Sequence, residues 1–191
     1  MSKIGLGVIT HNREDFYRQC CESIPLDVID HVVTVNDGQP YDYNLPGMYF
    51  YQNFENLGVG RSKNKAMKHL LKCGCEHIFL IEDDIVIKQK GVFQKYIDTA
   101  KASGIWHLMY GYHGPANKTP SKSPNPRLIV DYKEHQVALN QHCVGAFCYY
   151  HKGVLKNIGL MDEEFRNAWE HVEHSYQIVK AGLLPGYWWW P

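Results

Sequence analysis

Short apolar runs alternate with segments of helical periodicity along most of the chain, and this alternation constrains the fold most strongly. Apolar runs rich in β-branched residues occupy residues 4–10, 31–36 and 77–81, which predicts three strands. Residues 13–24 and 58–72 read as helices, the second with apolar positions at the spacing of a face that packs on a core. Strands that alternate with helices in this way predict an α/β fold with a mostly parallel central sheet.

The rest of the chain continues this pattern with no repeat or linker, so its 191 residues are expected to form a single domain. Residues 111–127 contain four prolines and two glycines, which predicts a loop. Because connections of this length are uncommon in compact domains, we expect a lid or binding loop. Further strands are predicted at residues 48–53, 105–110, 128–131, 137–139, 145–151 and 183–190, and further helices at residues 91–103, 152–158 and 169–182.

Composition and charge exclude several classes of protein. Lys and Arg together number 20, as do Asp and Glu, so there is no basic surplus of the kind that indicates a nucleic-acid binder. No apolar run approaches the roughly 20 residues of a membrane-spanning helix. The six cysteines show neither CxxC nor zinc-ribbon spacing, and no signal peptide is evident. We therefore expect reduced thiols in a soluble, cytoplasmic protein.

Three consecutive carboxylates, Glu82, Asp83 and Asp84, directly follow the apolar run 77–81. Neighbouring carboxylates repel each other, and their pKa values rise unless a cation is present. Oxygen ligands at a strand end suit magnesium or manganese bound together with phosphates. Open α/β sheets also bind their ligands beyond the carboxyl ends of the strands. The triplet predicts a divalent metal site, with a solvated acidic turn as the alternative.

Polar residues also follow the first two predicted strands and begin the helix at residue 58. Each cluster alone could be an ordinary turn or cap; Asn12, for example, could cap the helix that follows it. Glycines and cations at a helix N-terminus, however, suit a diphosphate. Because all of these positions fall at strand-to-helix transitions on one sheet edge, they predict a nucleotide site together with the acidic triplet. Its other expected members are Thr10, Asn12, Arg13, Asp37, Gly38, Arg61, Lys63 and Asn64.

Six stretches, in order, carry a resemblance to a known family: GVITHNRED, VNDG, ENLGVGRSKN, IFLIEDDIVI, GAFCYYHKGVLKNIGLMDEEF and EHVEHSYQIVKAG. Over nearly its whole length the chain resembles the family-2 glycosyltransferases of the GT-A fold. The resemblance implies a Rossmann-like α/β/α sandwich and an inverting transfer of a sugar to a hydroxyl of a glycan or glycoconjugate. It also implies a nucleotide-sugar donor, most often a UDP-sugar, and a divalent metal, Mn²⁺ or Mg²⁺.

The same resemblance implies roles for individual residues. Thr10 and Asp37 match positions that hold the nucleoside, and Arg61 and Asn64 match positions that line the nucleotide pocket. The acidic motif bridges ribose and metal, with Glu82 in its first place and Asp84 in its last, as the direct metal ligand. We expect the metal, helped by Arg61 or Lys63, to neutralise the charge that develops on the departing diphosphate.

One departure from the family affects the catalytic base. Family members usually carry an adjacent Glu-Asp pair whose second member is taken as the base, whereas this chain has Glu170 and His171. Histidine titrates near neutrality and can act as a base. Glu173 lies three residues from Glu170, on the same face of a helix, so it is a third candidate. An HExxH zinc site is excluded, because His171 and His174 are only three residues apart.

Two other classes of function are open alternatives. A sugar-nucleotide nucleotidyltransferase would share the fold and metal, but it should carry a Gly-rich, Arg-containing loop after the first strand, and none is present. A degenerate, non-catalytic sugar-binding module is the other, because the family's acid is missing at His171. Aromatic residues could stack on sugars, among them Trp169, Tyr110, Tyr112 and Trp188 to Trp190. Family members usually continue past the final strand, so the chain is either a compact transferase or one domain of a longer chain.

Overall fold

The computed structural model describes residues 2–186, which form a six-stranded central sheet with helices on both faces. The strands are β1 (Ile4–Thr10), β2 (His31–Asn36), β3 (Tyr49–Gln52), β4 (His77–Glu82), β5 (His107–Met109), β6 (Leu128–Tyr132), β7 (His135–Leu139) and β8 (Phe147–His151). The helices are α1 (Glu14–Ser23), α2 (Val59–Lys72), α3 (Val92–Ser103), α4 (Lys152–Ile158) and α5 (Glu170–Lys180).

The central sheet has the strand order β3-β2-β1-β4-β8-β5. Strands β3, β2, β1 and β4 pair in parallel, and β8 runs antiparallel to both β4 and β5. In this register Thr10 lies opposite Asn36, and Ile9 lies opposite Glu82. The predicted α/β fold with a mostly parallel sheet is therefore confirmed, and the carboxyl ends of β1, β2 and β4 meet at one edge.

Alternate residues of the central strand β4 pack on opposite layers of helices, as the two-residue period of a strand requires. Phe79 and Ile81 belong to a core shared with α1 and α3, and Ile78 and Leu80 to one shared with α2, α4 and α5. Helix α2 lies so close to β1 that a Cβ at Gly7 would stand 2.9 Å from the Cβ of Ala66. This close packing fixes the N-terminus of α2 beside the ends of β1 and β2.

Two predictions about element ends are wrong. Asn12 does not cap α1: its backbone has a φ of 55°, and its Oδ1 accepts a hydrogen bond from the Gln39 amide at 2.7 Å. The helix instead begins at Glu14 after an N-cap, Arg13, without a side-chain capping bond. Residues 183–186 form no strand. The remainder of the strand predicted at 183–190, including Trp188 to Trp190, lies outside the described residues.

The predicted loop at residues 111–127 contains two short 3₁₀ turns, Gly111–His113 and Pro115–Asn117. Asn117 is buried and holds the loop in place. Its side-chain amide donates to the carbonyl oxygens of Gly111 at 2.7 Å and His142 at 2.9 Å. The loop leads into the β6–β7 hairpin, a separate two-stranded sheet that packs on α3. Within the described part of the chain, no helix is both long and apolar enough to cross a membrane.

Candidate active site

A cavity of about 350 Å³ opens at the sheet edge where β1, β2 and β4 end. Six of the predicted site residues line it: Thr10, Arg13, Asp37, Glu82, Glu170 and His171. A second, larger groove of about 920 Å³ lies beside the β6–β7 hairpin and begins at Asp84. The acidic triplet thus stands between the two cavities, with Glu82 in the smaller and Asp84 in the larger.

The middle carboxylate of the triplet, Asp83, is fully buried and joins the ends of two strands. Its backbone amide donates to the Ile9 carbonyl, and its Oδ2 accepts a 2.7 Å hydrogen bond from the Thr10 hydroxyl. The Arg13 guanidinium contacts its Oδ1. Burial raises the pKa of Asp83, although the Thr10 hydrogen bond and the Arg13 charge oppose that shift. Thr10 and Asp83 were both predicted to contact the nucleotide, and in the structure they form a hydrogen bond with each other.

The first carboxylate, Glu82, is paired with a buried lysine. Lys63 is fully buried in α2, and its ammonium donates to Glu82 Oε1 at 2.8 Å, Glu170 Oε1 at 2.9 Å and the Gly145 carbonyl at 3.1 Å. Burial alone would lower the pKa of Lys63, but the two carboxylates outweigh it and the pKa is raised. Lys63 was predicted to contact the diphosphate, but its ammonium is instead paired with Glu82 and Glu170 in the protein interior.

The other two predicted residues of α2 also do not line the cavity. The buried Asn64 amide holds the backbone of Met161, donating to its carbonyl at 2.8 Å and accepting from its amide at 3.0 Å. Arg61 is half exposed and lies 3.6 Å from Glu163. The expectation that Arg61 or Lys63 faces a diphosphate in this cavity is not met, since the sheet-facing side of α2 turns Lys63 inward.

Asp37 organises the segment that leads from β3 into α2. Its Oδ1 accepts hydrogen bonds from the Asn53 side chain at 2.7 Å and the Leu57 amide at 2.9 Å, and its Oδ2 accepts from the Gly58 amide at 2.7 Å. Gly58 has a φ of 92°, and a Cβ there would stand 2.4 Å from the Arg166 carbonyl oxygen. Gly38, which follows Asp37, packs against Asn12 and does not line the cavity.

Glu170 and His171 begin helix α5 and line the cavity together. Glu170 Oε1 lies 2.9 Å from the Lys63 ammonium and 3.1 Å from His171 Nδ1. Burial would raise the pKa of Glu170, but the His171 hydrogen bond and the Lys63 charge outweigh it and lower the pKa to about 2. Glu173 does not line the cavity, and its Oε1 accepts from the Gln177 side chain at 2.7 Å.

No protein-family model and no curated protein matches the chain by sequence. Among solved structures, it is similar to TarS 1–349 from S. aureus, with a TM-score of 0.63 and 18% identity over 92% of this chain and 55% of that one. The mannosyltransferase PcManGT from Pyrobaculum calidifontis, solved with GDP-Man and Mn²⁺, gives a TM-score of 0.63 and 12% identity over 96% and 54%. The fold is the GT-A fold. The chain spans about half the length of each of these structures.

Two features of this GT-A fold site were not anticipated from the sequence. Arg166 lines the cavity, as Arg13 does, and its guanidinium donates to the Asn56 carbonyl at 2.6 Å. His11 also lines it, with Nδ1 2.9 Å from the Asp37 carbonyl oxygen. Arg166 belongs to the irregular segment between α4 and α5, where no periodicity or motif marks a position as functional.

The residues at the acidic triplet were tested for their fit to a divalent cation. Within residues 2–186, no three Asp, Glu, His or Cys side chains gather into a group that could hold a metal by themselves. Asp84 Oδ1, however, is buried and has no hydrogen-bond partner among the described residues. Its other oxygen lies 3.7 Å from the Arg13 guanidinium. Glu170 Oε2 is also buried without a hydrogen-bond partner among the described residues, but Asp84 belongs to the triplet and is not paired with Lys63, so its oxygen fits a metal ligand.

Proposed function

We propose that this chain is a glycosyltransferase domain that transfers a sugar from a nucleotide-sugar donor, a UDP-sugar, to a hydroxyl of a glycan or glycoconjugate. The observation that carries the proposal is the smaller cavity, at the carboxyl ends of β1, β2 and β4. It brings Arg13, Arg166, the first carboxylate of the acidic triplet, Glu82, and the Glu170–His171 pair to one place in a GT-A fold. The resemblance of the six sequence stretches supports the UDP-sugar and an inverting displacement.

Arg13 and Arg166 are the cations proposed to face the diphosphate. Both residues line the cavity, whereas Lys63 does not and has its ammonium buried between two carboxylates. Guanidinium groups bind phosphate oxygens through paired hydrogen bonds and stabilise charge that develops on a leaving group. Arg13 replaces the predicted Arg61, because it lies on the loop after β1 at the edge of the acidic triplet.

The metal is proposed to bind at Asp84 as Mn²⁺ or Mg²⁺. The free buried oxygen of Asp84 supports this, and so does the position of the residue between the two cavities. When bound, the ion would act as a Lewis acid that neutralises charge on the diphosphate. Arg13 partly balances Asp83 and Asp84 before the ion arrives. PcManGT, which has a similar fold, was solved with GDP-Man and Mn²⁺.

The test is the release of nucleoside diphosphate from a panel of UDP- and GDP-sugars, with Mn²⁺, Mg²⁺ or a chelator and with candidate glycan acceptors. We expect one donor to release nucleoside diphosphate only when both metal and acceptor are present. The Asp84→Asn variant should lose this metal-dependent release. Donor binding without release would favour the non-catalytic module. Release of pyrophosphate from a nucleoside triphosphate and a sugar phosphate would favour the nucleotidyltransferase. No binding and no release would contradict the proposal.

A further inference from the structure

We propose that His171 is the base that accepts the proton of the acceptor hydroxyl, and that Glu170, Lys63 and Gly145 are positioning residues that fix its imidazole. The inference rests on the proposed glycosyl transfer and deepens it, because it assigns the three candidates for the base to separate roles. It departs from the carboxylate base of the family that the sequence resembles.

The first step in the argument is the protonation state of Glu170. Its side chain is only 2% exposed, and one oxygen, Oε1, meets both the Lys63 ammonium and His171 Nδ1. Lys63 is fully buried and remains charged between Glu82 and Glu170, so Glu170 is held as a carboxylate. An ionised carboxylate with so low a pKa is a weak base near neutral pH. The residue is therefore suited to orienting a partner.

The second step is the tautomer of His171. An ionised carboxylate only accepts hydrogen bonds, so Nδ1, 3.1 Å from Glu170 Oε1, must carry the hydrogen. In the neutral imidazole the lone pair is then on Nε2, the nitrogen that can accept a proton from a substrate. A carboxylate that fixes a histidine tautomer and stabilises the imidazolium is the arrangement of the serine-hydrolase triad.

The third step is the space that holds the ring. A Cβ at Gly145 would stand 2.7 Å from both Cγ and Nδ1 of His171, so only glycine leaves room for the imidazole in this place. The carbonyl of the same glycine accepts a hydrogen bond from Lys63 at 3.1 Å. Gly145, which follows the β6–β7 hairpin and precedes β8, therefore sets the position of both the ring and the ammonium.

The fourth step is access and charge. Both residues line the cavity, but the His171 side chain is 20% exposed, whereas that of Glu170 is only 2% exposed. Lys63 supplies one positive charge against two carboxylates, Glu82 and Glu170, so the cluster has a net charge of −1 while His171 is neutral. A proton accepted by His171 would bring the net charge of the cluster to zero, and Glu170 Oε1 would then face the imidazolium.

The proposed step balances as follows. The acceptor oxygen forms a bond to the anomeric carbon as its O–H proton moves to His171 Nε2. The bond between the anomeric carbon and the diphosphate oxygen breaks, and its electron pair leaves with the nucleoside diphosphate. The imidazolium is held by Glu170 until it returns the proton to solvent, while Lys63 stays protonated throughout.

The first test compares His171→Asn, which keeps an N–H donor toward Glu170 but has no proton acceptor, with the wild-type chain. We expect kcat to fall about 100- to 10,000-fold, the usual contribution of general-base catalysis. The Kd for UDP with Mn²⁺, measured by calorimetry, should stay within about twofold of the wild-type value, because the variant is proposed to affect the acceptor proton and not UDP binding. This is well below the tenfold change that corresponds to about 1.4 kcal/mol. A variant that keeps more than about a tenth of the wild-type kcat would overturn the assignment.

Two further variants separate chemistry from structure. His171→Ala should regain activity when free imidazole is added, because the small base can enter the space of the missing ring. Gly145→Ala, which changes no charged group, should lower kcat while leaving the Kd for UDP unchanged. An inactive His171→Ala variant that imidazole does not restore, or a fully active Gly145→Ala variant, would contradict the proposal.

The orientation of the ring can also be measured without activity. ¹⁵N NMR of the wild-type chain should show neutral His171 as the Nδ1–H tautomer, and Glu170→Gln should change that tautomer distribution. The Nε2–H tautomer in the wild type would overturn the inference. If the wild-type chain releases no nucleoside diphosphate from any donor, the proposed function fails, and the NMR result then decides the positioning of His171 separately.

Discussion

At the scale of single residues, the charge of the site depends on which cation pairs with each carboxylate of the acidic triplet. Three adjacent carboxylates would repel each other, but Glu82 pairs with Lys63, and Asp83 pairs with Arg13. Asp84 keeps a buried oxygen with no hydrogen-bond partner among the described residues, whereas the corresponding oxygen of Asp83 is paired with Arg13. The sequence could predict that the triplet needs a cation. It could not predict that Lys63 and Arg13 supply positive charge to two of the three carboxylates, because packing brings Glu82 and Lys63 together.

Arg13→Ala removes the guanidinium that pairs with the buried Asp83. We expect a loss of about 1 to 3 kcal/mol in the free energy of unfolding at pH 7, the worth of a hydrogen bond to a charged group that is left without its partner. The pKa of Asp83 is already raised, and without Arg13 it rises further. The loss should therefore shrink as the pH falls and Asp83 takes up a proton.

Urea denaturation at pH 7 and pH 4 measures this difference. Arg18→Ala is the matched control, because Arg18 lies exposed on α1, the helix that follows Arg13, and stacks on Tyr43. The control should lose less than about 1 kcal/mol at both pH values. An equal loss for Arg13→Ala at the two pH values would show that Arg13 does not stabilise ionised Asp83.

At the scale of elements, Lys63 joins α2, β4 and α5 through Glu82 and Glu170, which lie 19 and 107 residues away in the chain. The sequence placed the strands and helices well: β1, β2 and α4 have the predicted ends, because apolar period and turn residues are local signals. It misplaced Lys63 and Arg61, because which side of α2 faces the sheet is decided by packing against β1 and β2. Arg166 had no local signal at all.

Lys63→Met leaves Glu82 and Glu170 without their shared cation. We expect a loss of about 3 to 5 kcal/mol in the free energy of unfolding at pH 7, because an unpaired buried charge is strongly destabilising. The double variant Lys63→Met, Glu170→Gln removes the buried charge as well and should regain part of that loss. Urea denaturation of both variants tests this. A single variant as stable as the wild type would contradict the proposed role of Lys63 at the centre of the cluster.

At the scale of the whole molecule, folding brings residues from both halves of the chain to one edge of the sheet. Arg13, Asp37 and Glu82 come from the parallel half, and Arg166, Glu170 and His171 from the segment after β8. The GT-A fold was predictable, because its motifs occur in order along the chain. The arrangement of the buried cluster was not, since its long-range pairs leave no periodic signal. The contribution of this cluster to the free energy of unfolding should depend on pH.

The pKa of Glu170 falls from 4.5 to about 2 in the folded state. A lowered carboxylate pKa stabilises the fold above the unfolded value, and the gain is lost as the pH falls from about 4.5 towards about 2. For this nearly buried group the gain is on the order of 3 kcal/mol. Glu170→Gln should therefore narrow the stability difference between pH 7 and pH 3, as followed by urea denaturation. An unchanged difference would contradict the lowered pKa.

The central claim is that the cavity at the carboxyl ends of β1, β2 and β4 binds the nucleoside diphosphate part of a sugar donor. The most direct measurement is a calorimetric titration of UDP with Mn²⁺ into the wild-type chain, Arg166→Ala and Arg18→Ala. We predict binding by the wild type, a Kd raised about 10- to 100-fold in Arg166→Ala through loss of a charged hydrogen bond, and an unchanged Kd in Arg18→Ala. No binding by the wild type, or equal binding by all three chains, would contradict the account.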